Sequence, residues 1–118
     1  MVKNTPGLIG VLLITDDGLP IASTVQTPDT ELSSTAVGAI LCDAGQRGIQ
    51  ELGLGSLEVV VTLGTQGFYV VTRIVEGILL MAVASPDVLL GMVLLRFKKA
   101  KPLLAESMGE SARSPSQG

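Results

Sequence analysis

The sequence predicts an α/β (α+β) sandwich. In it a five-stranded antiparallel sheet, with elements in the order β-β-α-β-β-β-α, carries one helix on each face. The first observation is the stretch Leu57 to Ala84, LEVVVTLGTQGFYVVTRIVEGILLMAVA. Its short apolar, β-branched runs are broken by GTQG and by EG, the pattern of hairpin-linked strands. The second is that these runs are apolar on both sides. Alternate residues of a strand face opposite ways. Leu57, Val59, Val61 and Leu63 therefore share one side, and Val60 is apolar on the other. Ile78, Leu80 and Ala82 likewise oppose Leu79, Met81 and Val83. A sheet apolar on both faces must be covered on both. The third is that Thr27-Pro28-Asp29 and Ser85-Pro86-Asp87 repeat one helix-opening signature: a hydroxyl cap, a proline at the first helical position and an acid in the first turn.

Taken in order, residues 1–6 form a polar leader and Leu8 to Ile14 a nearly all-apolar strand. Asp16-Asp17-Gly18 is a turn signal, since glycine takes positive φ at no steric cost. Leu19 to Thr24 returns as a strand, and Pro20, with no amide to donate, makes it an edge strand. The first helix opens at Thr27-Pro28-Asp29, runs to about Leu52 and stops at Gly53. The three-strand meander of Leu57–Ala84 follows. The second helix opens at Ser85-Pro86-Asp87 and runs through about Lys101, where Pro102 kinks or ends it. From Ser107 onward the composition is that of a disordered tail.

Composition bounds the function. The chain has 118 residues, enough for one domain with one core, with 47% apolar and 16% charged residues. No apolar run approaches the ~18 residues of a membrane helix. The excess apolar content points to a second buried surface, such as a subunit interface. A net charge of −3 leaves no footprint for nucleic acid. There is no histidine, which removes the commonest general base and any histidine metal site. Cys42 is alone, so it reads as a small buried hydrophobe. The N-terminus shows no cleavable signal pattern, so the expected location is cytoplasmic.

Few residues carry chemistry. There is no phosphate-binding G-x-x-x-x-G-K-[ST] loop. Asp16 and Asp17 read as turn formers, and Gly64 to Gly67 as a hairpin connection. Arg96, Lys98, Lys99 and Lys101 read first as a solvated helix end complementing its dipole, with contact to an anionic lipid or an acidic partner as the alternative. Arg73, mid-strand in VVTRIV, reads as either an exposed-face residue or an interface arginine, the latter favoured because arginine is enriched at interface cores. No metal, cofactor or catalytic residue is expected, and the chain is read as not an enzyme.

The helices say more. At 100° per residue Ser34, Gly38, Leu41, Gly45, Gly48 and Leu52 of the first helix fall together. Glycines cost about 1 kcal/mol each in a helix, so this face is expected to lie close on the sheet. The opposite face carries Leu32, Ala36, Ala39 and Ile40 before turning polar at Asp43, Gln46, Arg47 and Gln50. A helix apolar all round is buried all round, so that patch wants a partner. In the second helix Leu89, Val93 and Phe97 are expected to face the sheet, leaving Val88, Met92 and Leu95 as a second stripe.

These residues resemble the Roadblock / dynein light-chain family, whose architecture is profilin-like. The resemblance lies in GVLLITDDGLPIAST as the opening hairpin, in LEVVVTLGTQGFYVVTRI as the third and fourth strands, and in GILLMAVASPDVLLGMVLLRFKKAKPLL as the last strand and helix. It covers roughly residues 8–106, so the expected organisation is a Roadblock-like domain over 1–106 and a tail over 107–118. The family's usual N-terminal helix has no counterpart in the few residues before the first strand. The resemblance implies a non-catalytic homodimeric adaptor that binds or regulates a Ras-like small GTPase, promoting GTP hydrolysis in some members without supplying a catalytic residue. Two other readings stay open: a structural assembly subunit with no nucleotide-dependent partner, and a small-ligand sensor module. The expected partners are a second copy and the GTPase, with no nucleic acid, and a membrane only indirectly if at all. The expected dimer surface comprises Leu32, Ala36, Ala39, Ile40, Asp43 and Arg47, with Val59 and Val61 on the strand that would continue the sheet. Val88, Met92 and Leu95 form the expected second partner surface.

Overall fold

Asp16-Asp17-Gly18 turns the chain between β1 (Leu8–Thr15) and β2 (Pro20–Ser23). The structure is a computed structural model that describes residues 8–24 and 28–117, with side chains over 10–24 and 35–107. After the hairpin come α1 (Pro28–Glu51), β3 (Val60–Gly64), β4 (Gly67–Val75), β5 (Ile78–Ala84) and α2 (Leu90–Gln117). The strands pair antiparallel in the order β2-β1-β5-β4-β3. The last strand in sequence is thus the middle one in space. Pro20 does lie on an edge strand, where its missing amide takes no bond from the ladder.

One helix covers each face, as the alternation predicts. On the α1 side Leu12, Ile14, Val71, Leu79 and Met81 pack with Ala39 and Cys42 of the helix. On the other, Phe68, Val70, Ile74, Leu80, Ala82 and Ala84 pack with Val93 and Phe97 of α2. Leu12, Ile14, Val70 and Val71 are wholly buried. Burial of a side chain of this size contributes about 1.5–3 kcal/mol, so the central strands dominate the stability.

Glycine permits two close approaches. A Cβ on Gly38 of α1 would come within 3.0 Å of Ile14 Cδ1 and 3.1 Å of Met81 Sδ, and one on Gly45 within 3.0 Å of Val60 Cγ2. α1 therefore lies directly on β1, β3 and β5 at these points. At the β3–β4 turn Gly67 has φ +148°, and a Cβ there would sit 2.5 Å from the carbonyl oxygen of Ala84. Only glycine fits. α1 ends in a left-handed Gly53 (φ +66°), whose amide donates to Gln50 at 3.1 Å while Leu54 donates to Ile49 at 2.9 Å. These two bonds form a Schellman cap.

Four expectations need correction. The sheet-facing side of α1 is Thr35, Gly38, Ala39, Cys42 and Gly45, turned by roughly 80° from the predicted one. Gly48 has open space beside it and Leu52 is exposed. Ser34 and Leu32 lie outside the described side chains. β3 starts at Val60 rather than Leu57, because the Leu57 amide donates instead to Gln46 Oε1 of α1 at 3.2 Å.

α2 starts at Leu90 rather than at Ser85-Pro86-Asp87. Those residues form a turn, with the Val88 amide donating to the Ser85 carbonyl at 3.2 Å and the Ser85 hydroxyl to Asp87 Oδ1 at 2.7 Å. The last correction concerns Pro102, which does not end α2, and the helix runs on through the segment expected to be a disordered tail. Pro102 has no amide to donate to the Lys98 carbonyl, and both residues are exposed, so the unpaired carbonyl is not sealed in the core.

Gly67→Ala should lower stability by about 3 kcal/mol, combining left-handed strain with the clash against Ala84. Gly48→Ala should raise it by about 0.5–1 kcal/mol, since a methyl there meets nothing. Guanidinium unfolding midpoints, at unchanged slope, check both.

Candidate functional site

With Thr35, Gly38 and Cys42 underneath, α1 presents Ala36, Val37, Ile40, Asp43, Ala44 and Arg47 to solvent. Ile40 is 66% exposed and Val37 42%. The predicted outer stripe is therefore present at Ala36, Ile40, Asp43 and Arg47. Ala39 departs from it: it is 8% exposed, packed onto the sheet, because it lies one turn from Cys42 and Thr35 on the buried face. Val37 was missed in the sequence, and it emerges once the helix is rotated onto its buried cysteine. Arg47 Nε reaches Asp43 Oδ2 at 3.2 Å, one turn apart and well exposed. Such a pair is worth at most a few tenths of a kcal/mol, so it marks a polar rim rather than holding the helix.

A depression of about 400 Å³ opens beside this stripe, walled by Ala36, Ile40 and Asp43 of α1, by Asp16 and Asp17 of the first turn and by Arg73 of β4. The turn reaches the helix closely: a Cβ on Gly18 would lie 3.3 Å from the Ala36 Cα. Thr15 holds the turn by its hydroxyl bond to Asp17, and its amide donates to Leu19 at 2.9 Å. Arg73 Nη2 pairs loosely with Asp16 Oδ1 at 3.5 Å, and its buried Nε has no hydrogen-bond partner. The arginine is thus only partly satisfied among the described residues.

β3 supplies the second part. It is an outer strand of the sheet, with Leu63 69% and Val61 36% exposed. Val61 pairs with Val70, which lies on the α2 side. Directly opposed residues point to the same face, so Val61, and Val59 packed in the same cluster, face away from α1. The residues of the expected interface are thus divided between the two faces of the sheet. The second predicted surface is also divided. Met92 and Leu95 are exposed, at 44% and 52%, but Val88 is 9% exposed and in the core, while Leu89 is 67% exposed. Both reversals follow from the later start of α2, which takes Val88 and Leu89 off the helical period.

Cys42 is 1% exposed beneath α1. Burial pushes its thiol above the usual range, partly offset by the positive charge of Arg73. Among the described residues no three His, Cys, Asp or Glu side chains are grouped to hold a metal, and no helix is long and apolar enough to cross a membrane.

The Roadblock/LC7 domain matches this sequence over residues 1–84. The chain belongs to the Roadblock/LC7 family. The match runs from the N-terminus through β5, and structural likeness extends over α2. A Roadblock/LC7 domain from Streptomyces avermitilis is 20% identical, with a TM-score of 0.80 over 94% of this chain and 90% of its own. Myxococcus xanthus MglB is 22% identical, with a TM-score of 0.78 over 87% of this chain and 85% of its own. An MglB in a tetrameric arrangement is 25% identical, with a TM-score of 0.78 over 89% of this chain and 79% of its own. No curated protein matches the chain by sequence. The five-stranded sheet and the element order are thus those of a Roadblock/LC7 fold.

In this Roadblock/LC7 chain Cys42 should resist a disulfide reagent at pH 7 and react fully once guanidinium unfolds the protein. Rapid labelling of the native protein would show that α1 lifts from the sheet.

Proposed function

We propose that this protein is a non-catalytic homodimeric adaptor whose self-association surface is the outer face of α1 together with the β3 edge, and that the dimer binds or regulates a Ras-like small GTPase. The observation that carries the dimer is Ile40, 66% exposed on a helix that already buries its other face. It is flanked by Ala36 and Ala44, small enough for a second helix to approach, and by Asp43 and Arg47 as a rim. A two-fold axis sets the same patch of both copies face to face, with the α1 helices antiparallel. Unpaired strand edges invite pairing, and β3 offers one on the same side of the molecule as the Val60 contact to α1. The tetrameric arrangement of an MglB at 25% identity supports self-association. The GTPase partner rests on what the family resemblance implies. A non-catalytic role fits a chain without histidine.

Ala36→Glu and Ile40→Glu each place an unpaired charge at the centre of this contact, which costs several kcal/mol of association. Light scattering with circular dichroism should show folded monomer for Ile40→Glu, whose side chain leaves the core untouched. A wild-type monomer at micromolar concentration would refute the dimer, and a dimeric Ile40→Glu would move the interface elsewhere.

The GTPase reading is tested by passing a panel of Ras-like GTPases, loaded with GDP or a non-hydrolysable GTP analogue, over the immobilised protein. Retention of one of them in one nucleotide state is expected. Retention of none, with the dimer intact, would favour a structural assembly subunit.

A further inference from the structure

We propose that the cleft between α2 and the chain entering β3 binds an aliphatic carboxylate. The hydrocarbon chain lies on Val59, Leu94 and Phe97, and the carboxylate lies between the ammonium groups of Lys98 and Lys101.

The cleft exists because β3 begins late. β4 pairs with β3 only from Gly67 to Val71. Beyond that the entering chain runs beside β4 without a ladder, held by the Thr72 hydroxyl donating to the Glu58 carbonyl at 2.5 Å. The resulting gap is a cavity of about 240 Å³. α2 closes it with residues spaced on one helical face, Leu94, Phe97, Lys98 and Lys101. The floor is apolar and firm: Phe97 is 3% exposed and belongs to the core, against which Val59 and Leu94 pack. The one polar group at the floor, the Thr72 hydroxyl, is already committed. An apolar chamber with a few polar groups at its mouth is the usual form of a small-ligand site.

The charge at the mouth selects the ligand. Among the described residues neither Lys98 nor Lys101 has an ion-pair partner. Lys101 is half-buried, and an ammonium at the rim of an apolar cleft makes a charge-assisted hydrogen bond to an anion placed against it. Glu58 stands on the opposite wall, leaving the mouth with a single net positive charge. That balance suits one carboxylate and disfavours a dianionic phosphate. This cleft lies on the sheet face away from the outer stripe of α1 and shares only Val59 with the expected dimer surface, and the Lys98 and Lys101 variants leave that dimer surface unchanged.

The probe is sodium decanoate, kept below its micelle concentration and titrated into the full-length protein with methyl groups isotope-labelled for NMR. Saturable shifts at Val59 and Leu94 are expected, at one ligand per chain. Decanol and decyl phosphate should bind at least about tenfold more weakly than decanoate. The Lys98→Gln/Lys101→Gln double variant, which changes only side chains at the mouth, should lose at least about tenfold in decanoate affinity. Shifts confined to the exposed Met92 and Leu95, the absence of saturation, equal binding of decanol, or undiminished binding by the double variant would each overturn the proposal.

Discussion

The double-sided apolar sheet is the constraint on which the rest of this structure depends. β4 and β5 bury Val70, Leu80 and Ala82 on one face and Val71, Leu79 and Met81 on the other. Water has to be removed from both faces, so the chain needs two roofs. Among the described residues there are two long helices, and one covers each face. β5 takes the middle of the sheet because it is the most apolar strand, and its neighbours β1 and β4 then shield its edges.

The two roofs are built differently, and the apolar stripe on α1 and the cleft under α2 follow from that. α1 lies close, through Gly38 and Gly45, with the small buried residues Ala39 and Cys42 beside them. A helix seated on small residues keeps its larger apolar ones, Val37 and Ile40, for the outside. That arrangement spends helix propensity on proximity and leaves an apolar stripe that solvent covers poorly. α2 instead stands off on the larger Val93 and Phe97. Where β3 has not yet joined the ladder, nothing fills the space beneath it, and the cleft remains. Close packing on one face gives a surface suited to another macromolecule. Looser packing on the other gives a chamber suited to a small molecule.

Much of the fold was legible because it is written in local chemistry. The strand alternation, the Asp16-Asp17-Gly18 and Gly64–Gly67 turns, the Gly53 stop and the edge position of Pro20 each rest on neighbours in sequence, where steric and hydrogen-bonding rules act without the rest of the chain. The resemblance to the Roadblock family was legible from the same runs. Two of the misreadings share one origin. Ser85-Pro86-Asp87 has the composition of a helix start, but the Ser85 hydroxyl bonds the Asp87 carboxylate and closes a turn instead. Leu57 has the pattern of a strand, but its amide is taken by Gln46 of α1. In both cases one side-chain hydrogen bond decided against the local pattern.

The sequence by itself determined the class, the number and order of the elements, their two-sided burial and the family. These depend on periodicity and turn chemistry, which are properties of short stretches. Only the tertiary structure decided how α1 is rotated on the sheet, and with it that Ala39 is core while Val37 is surface. Only it placed Val59 and Val61 on the face opposite Ile40, brought Arg73 to Asp16 across the sheet, and opened the cleft under α2. A helix that is apolar around most of its circumference carries no unique rotational signal. Its orientation is set by which side chains interlock with the strands, and that is known only when helix and sheet are packed together.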